Sequence, residues 1–397
     1  MKYDFDKIID RTNTHSVKWD KILLKEFFGT ADVLPLWVAD MDFQCPQPVI
    51  EAVKKKAEEG IYGYSWHKTP EYFNAISGWM KRRHNWDIDN EWIVFSPGIV
   101  PAINVIIRTF TIPGDKIIVQ SPVYYPFFST ITNNGRQVVN NQLKYENKHY
   151  TFDFEDFEEK AKDSLTKIFL LCSPHNPVGR VWTKQELTKL GEICLENDVL
   201  VVSDEIHNDL ILKGYNHTIF SDIKEEFKDI SIVGVAPSKT FNIAGLKNSS
   251  IVISNERIRE RFSNAISGQY SLGFPNVFSI VATIAAYNEG DEWLDQVMEY
   301  IEENFIFLKG FLEEYLPDVE MVNPEGTYLA WLDFNTLRMS DDDRKDFLLK
   351  KAKVALDNGA MFGKGGEGFE RINVACPRTI LEECMNWIYK AIKAEKI

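Results

Sequence analysis

A single lysine, Lys239, closes the apolar stretch of "DISIVGVAPSKTFNIAGLKNSS" (229–250). The β-branched run ahead of it reads as a buried strand. Lysine is costly to bury unless its amine has a task. Desolvated near other cations, that amine has a lowered pKa and can attack a carbonyl carbon. Four more strand ends carry polar residues of the same kind. In "FSPGIVPAINVI" (95–106), Gly98, Ile99 and Val100 follow a strand and open an apolar helix. That is either an ordinary Pro-Gly turn or a cradle of amides for a phosphate. In "VVSDEIHND" (201–209), Asp204 either caps a helix or faces a cationic ring nitrogen, with Glu205 and His207 close behind. "CSPHNPVGR" (172–180) fixes Asn176 in a stiff Asn-Pro turn, and "SPVYYPFF" (121–128) sets Tyr124 and Tyr125 between prolines. The tyrosines serve either packing or as a stacking platform.

Zinc chemistry does not suit this set, because His207 lacks nearby nitrogen or sulfur ligands at suitable spacing. A phosphate cradle, a carboxylate for a ring nitrogen, a stacking aromatic and a carbonyl-reactive lysine are together what pyridoxal 5'-phosphate requires. No single motif carries that inference; their coincidence does.

The elements that must position these residues alternate between strand and helix from about residue 91. Strand expectations fall on "WIVFS" (92–96), "KIIVQ" (116–120), "KIFLLCS" (167–173), "VLVVSDE" (199–205), "SIVGVA" (231–236) and "SIVIS" (250–254). Between them lie amphipathic stretches such as "TKQELTKLGEICLEN" (183–197), where Thr183 and Glu186 fit a capping box. Short apolar runs separated by helices predict a parallel, helix-covered α/β sheet, with the ligand beyond the carboxyl ends of its strands. One long helical region is expected from near Asn276 past Tyr300, leading into a smaller α+β domain. There "TYLAWLDF" (327–334), a charged helix (341–358), "RINVAC" (371–376) and a terminal helix follow.

The chain has 397 residues, net charge -14, and a mean hydropathy typical of globular proteins. Its acidity argues against a nucleic-acid surface. Five scattered cysteines without a C-x-x-C pair read as reduced thiols. The opening "MKYDFDKIIDRT" has no apolar signal region and no apolar run approaches a membrane span, so a soluble cytoplasmic protein is expected.

With "LPLWVADMDF", "YGYSWH", "SDEIHNDL" and "SKTFNIAGLKNS", the chain resembles fold-type I pyridoxal-phosphate enzymes of the class I/II aminotransferase family. Within it, the cystathionine β-lyase (C–S lyase) branch is the most similar. The resemblance implies an α/β large domain (51–290) with a mainly parallel seven-stranded sheet covered by helices. It also implies a smaller α+β domain (291–397), joined by an N-terminal segment (1–50). It implies a Schiff base at Lys239, Asp204 on the pyridine nitrogen, Asn176 on the phenolic oxygen and Tyr124 stacked on the ring. His207 stands where many relatives have a tyrosine beside that oxygen. Gly98, Ile99 and Val100 would bind the phosphate with Ser238 and Lys247, the latter replacing a common arginine. Tyr64 would reach the phosphate of a neighbouring subunit in a homodimer. Arg371 would clamp the α-carboxylate of a small amino-acid substrate, with Ala39 lining the pocket. The implied reaction is α,β-elimination from cystathionine or a related cysteine S-conjugate, giving a thiol, pyruvate and ammonia. Transamination on the same residues is the alternative.

Overall fold

A computed structural model of the chain describes residues 3–395. Seven strands form the central sheet: β1 (Ile93–Ser96), β2 (Lys116–Val119), β3 (Gln137–Asn140), β4 (Thr166–Cys172), β5 (Leu200–Asp204), β6 (Ser231–Val235) and β7 (Ser249–Val252). Their spatial order is β1-β7-β6-β5-β4-β2-β3. Only β7 runs antiparallel to its neighbours; every other pairing is parallel. Helices cover both faces, which is why β4, β5 and β6 are near-continuous apolar runs rather than alternating ones.

Eight helices matter for the architecture: α1 (Gln47–Glu58), α2 (Pro70–His84), α3 (Ile99–Phe110), α4 (Lys184–Glu196), α5 (Val277–Glu289), α6 (Asp291–Tyr315), α7 (Asp341–Lys350) and α8 (Arg378–Glu395). α3 buries Ile99, Ala102, Ile103, Val105, Ile106 and Ile107 against the sheet, fixing where its N-terminus points. The expected capping box of α4 is present, with the Thr183 side chain and Glu186 bonding each other's backbone amides.

A second, antiparallel sheet contains β8 (Glu320–Met321), β9 (Leu329–Asp333), β10 (Asp357–Asn358) and β11 (Phe369–Asn373), ordered β8-β9-β11-β10. Leu34–Pro35 pairs in parallel with Val354–Ala355, tying the N-terminal segment to this region.

The long helical region expected from near Asn276 past Tyr300 is present as two helices, broken at Gly290, where a Cβ would meet the Ala286 carbonyl and the Phe241 ring. Two expectations are corrected. The charged helix expected over 341–358 stops at Lys350; Lys353 adopts a left-handed φ of 57° and Val354–Ala355 is strand. The edge strand β3 was not among the strand expectations, because Gln137 and Asn140 flank only two valines. Among the described residues no helix is long and apolar enough to cross a membrane.

The parallel strands end along one edge of the sheet. The turns after β1, β2, β4, β5 and β6 therefore converge there, and β10 and β11 of the smaller sheet cover them.

Candidate active site

A cavity of about 230 Å³ lies at that edge. Ile99, Val100, Tyr124, Asn176, Asp204, His207, Lys239 and Arg371 line it, and so does Ala39 from the N-terminal segment. Residues from five strand ends and from the smaller sheet thus share one wall, although Lys239 and Ala39 are 200 positions apart.

Lys239 sits in a single helical turn, Pro237–Thr240, directly after β6. Its Nζ donates to the Ala39 carbonyl at 2.6 Å. Burial, reinforced by the Arg371 charge, lowers its pKa to about 8, against the opposing pull of Asp40 and Asp204. An amine so tuned is uncharged in about a tenth of molecules at pH 7, against well under a thousandth for an ordinary lysine.

Asp204 ends β5 and is buried, accepting from the Ile206 amide at 3.2 Å. No helix follows it, so the capping alternative falls away. Burial raises its pKa to about 7, despite that amide and Lys239. Among the described residues it has no ion-pair partner within salt-bridge distance, so a cation in the cavity would complete it. Burial together with the Lys239 and Arg371 charges holds His207 well below the usual imidazole range. It is therefore neutral, and its Nδ1 is buried without a partner. Burial pushes the Tyr124 phenol up, with Tyr125 and Asp204 adding to the effect.

Arg371, on β11, donates from Nη1 to Asn176 Oδ1 at 3.0 Å and from Nη2 to the Trp37 carbonyl at 2.9 Å. Nη2 also pairs with the Asp357 carboxylate. Its Nε is buried without a partner. The guanidinium is thus aimed and partly unsatisfied, as an anion receptor must be.

Pyridoxal 5'-phosphate fits this donor set. The first amides of α3 at Ile99 and Val100 make no hydrogen bond among the described residues, and a helix N-terminus favours a phosphate. Asp204 would meet the ring nitrogen, and Lys239 the aldehyde carbon.

Other expected residues stand farther off. Gly98 caps α3, and Ser238 is buried beside Lys239; neither lines the cavity. Lys247 is exposed outside it, although its charge helps lower the Lys239 pKa. Tyr64 is fully exposed and absent from its own chain's cavity, in a loop where Ile61, Tyr62 and Trp66 are also exposed.

Several residues of the site escaped sequence reasoning. The Tyr328 hydroxyl donates to the Ala39 carbonyl at 2.9 Å, and its ring stands edge-on to His207. Asn373 holds the Val38 and Asp40 carbonyls at 2.7 and 2.6 Å, and Asn242 holds those of Met41 and Phe43. Together they pin the 38–43 strap across Lys239. Asp357 hid inside the expected helix; an acid in "KVALDNG" was the only available signal.

Residues 31–388 match the aminotransferase class I and II family. The chain is 46% identical over 391 residues to the cystathionine beta-lyase PatB of Bacillus subtilis (strain 168), covering 98% of this chain and 100% of that one. The crystal structure of cystalysin from Treponema denticola, which contains a pyridoxal 5'-phosphate cofactor, superposes with a TM-score of 0.95 at 43% identity over the full length of both chains. The PLP-bound C-S lyase from Staphylococcus hominis gives a TM-score of 0.91 at 35% identity, with 98% of each chain covered.

Proposed function

We propose, for a chain that belongs to the aminotransferase class I and II family, a pyridoxal-phosphate-dependent carbon–sulfur β-lyase. It would convert cystathionine or a related cysteine S-conjugate, with one water, to a thiol, pyruvate and ammonia. One observation carries the cofactor chemistry: an amine with its pKa lowered to about 8 shares a cavity with an unpaired buried carboxylate and a partly unsatisfied guanidinium. The identity to a named cystathionine beta-lyase supports elimination over transamination.

When bound, pyridoxal phosphate would supply a sink for the electron pair left behind at the amino acid's α-carbon. The amides of Ile99 and Val100 would hold its phosphate, and the Asp204 carboxylate would hold its ring nitrogen. Tyr124 and His207 would bind the ring, and Asn176 its phenolic oxygen. Arg371, aimed by Asn176 and the Trp37 carbonyl, fixes the substrate carboxylate and so orients the α-C–H bond. Uncharged Lys239 takes the α-proton on Nζ, and the Ala39 carbonyl accepts a bond from the resulting ammonium. Charges fixed before the reaction, rather than rearranged during it, supply most of the stabilisation.

The exposed aromatic loop around Tyr64 supports a homodimer in which that residue approaches the partner's phosphate site. Incubation of the cofactor-loaded protein with cystathionine tests the reading. Pyruvate and thiol in equal amounts without an added 2-oxo acid are expected. Turnover only when a 2-oxo acid is supplied would make the protein an aminotransferase.

A further inference from the structure

Asp357 and Arg371 are directly opposite each other on the antiparallel strands β10 and β11, so backbone register holds their side chains together. Asp357 is buried, pairs with Arg371 Nη2, and also lines the cavity. Its charge reaches Tyr125, another lining residue, where it adds to burial in raising the phenol's pKa; burial raises the pKa of Asp357 itself, and its pairing with Arg371 opposes that. The charges lining the cavity are two cations, Lys239 and Arg371, and two anions, Asp204 and Asp357. His207 adds none, being held neutral.

On the lyase reading, Asp204 is committed to the cofactor ring and the uncharged form of Lys239 to the α-proton. Arg371 then faces two carboxylates, that of Asp357 and that of the substrate. One guanidinium between two carboxylates leaves a net negative charge beside the bound amino acid. Among the described residues no other cation lines the cavity to receive a third carboxylate.

We propose that Asp357 is a specificity-determining residue that makes the cavity accept cysteine S-conjugates with cationic or neutral β-substituents and reject anionic ones. The role rests on the lyase reading and deepens it by naming the charge class of the leaving thiol. A dicarboxylic amino acid is excluded by the same charge.

Three substrates of similar length separate the cases: S-(2-aminoethyl)cysteine, S-propylcysteine and S-carboxymethylcysteine. Pyruvate release gives kcat/KM for each. For the unaltered enzyme the aminoethyl compound should exceed the carboxymethyl compound by roughly tenfold or more, with the propyl compound between, as expected for one charge–charge contact at a partly buried site. Asp357→Asn should shrink that ratio toward one, whereas Asp357→Glu, which keeps the charge, should preserve the order. A ratio of one or below in the unaltered enzyme overturns the proposal, and that result needs no variant. So does an undiminished ratio in folded Asp357→Asn. The same compounds perturb the cofactor's absorbance on binding, so their order can be read as dissociation constants even without turnover. Binding in the expected order with no pyruvate would overturn the lyase reading and leave the charge selection standing.

Discussion

Replacing Lys239 by methionine in the cofactor-free protein removes the buried amine and its bond to the Ala39 carbonyl. The amine's pKa falls from the ordinary 10.5 to about 8 in the folded chain. The unfolded chain therefore binds more protons between those values, and the wild-type protein gains stability as pH rises through that window. Well below pH 8 the full penalty of burying the charge is present, about 3.5 kcal/mol, and by pH 10 about 1 kcal/mol remains. The methionine variant feels none of it. Its stability minus that of the wild type should thus be larger at pH 6.5 than at pH 10, by about 2.5 kcal/mol. Taking the difference between two pH values cancels the packing change, which does not titrate. Urea unfolding followed by tryptophan fluorescence at both pH values measures the quantity. A change below about 0.5 kcal/mol, or one of opposite sign, would mean that the amine is solvated with an ordinary pKa, and the electrostatic account of the site would fail.

Other perturbations follow from the same geometry. Arg371→Lys exchanges a fork for a point charge, so KM for cystathionine should rise at least about tenfold while kcat changes less. Asp209 accepts from Thr240 at 2.7 Å and from Trp79 at 3.1 Å, and pairs with His84 at 2.7 Å, so it braces the turn that carries Lys239. Asp209→Asn should lower stability by roughly 3 kcal/mol in urea unfolding and reduce pyruvate release in the protein that remains folded. At Gly191 a Cβ would lie 2.3 Å from the Phe227 ring. Gly191→Ala should therefore lower stability by about 1–3 kcal/mol without altering KM for cystathionine.

What could be read from the chain divides along the range of the contacts involved. Lys239 and Asp204 were legible because each is a charge at the end of an apolar, β-branched strand, where local sequence alone makes the anomaly. The capping box of α4 is local in the same sense. Asp357 was not, because Val354, Ala355 and Leu356 continue an apolar pattern compatible with the preceding helix. Only pairing with Leu34–Pro35 and with β11 makes that stretch a strand. Nor could spacing reveal that Asn373 holds carbonyls more than 330 positions away, or that Tyr328 bonds the carbonyl that receives Lys239. For Ser238 and Lys247, position in a motif suggested phosphate contacts, yet neither lines the cavity.

Borohydride reduction of the cofactor-saturated protein, followed by mass spectrometry of its tryptic peptides, tests the central claim most directly. Lys239 should carry the reduced cofactor's mass, and Lys239→Ala should lose the yellow absorbance of the loaded enzyme. The cofactor's mass on another lysine, or on none, would contradict the assignment of Lys239 as the residue that binds it covalently.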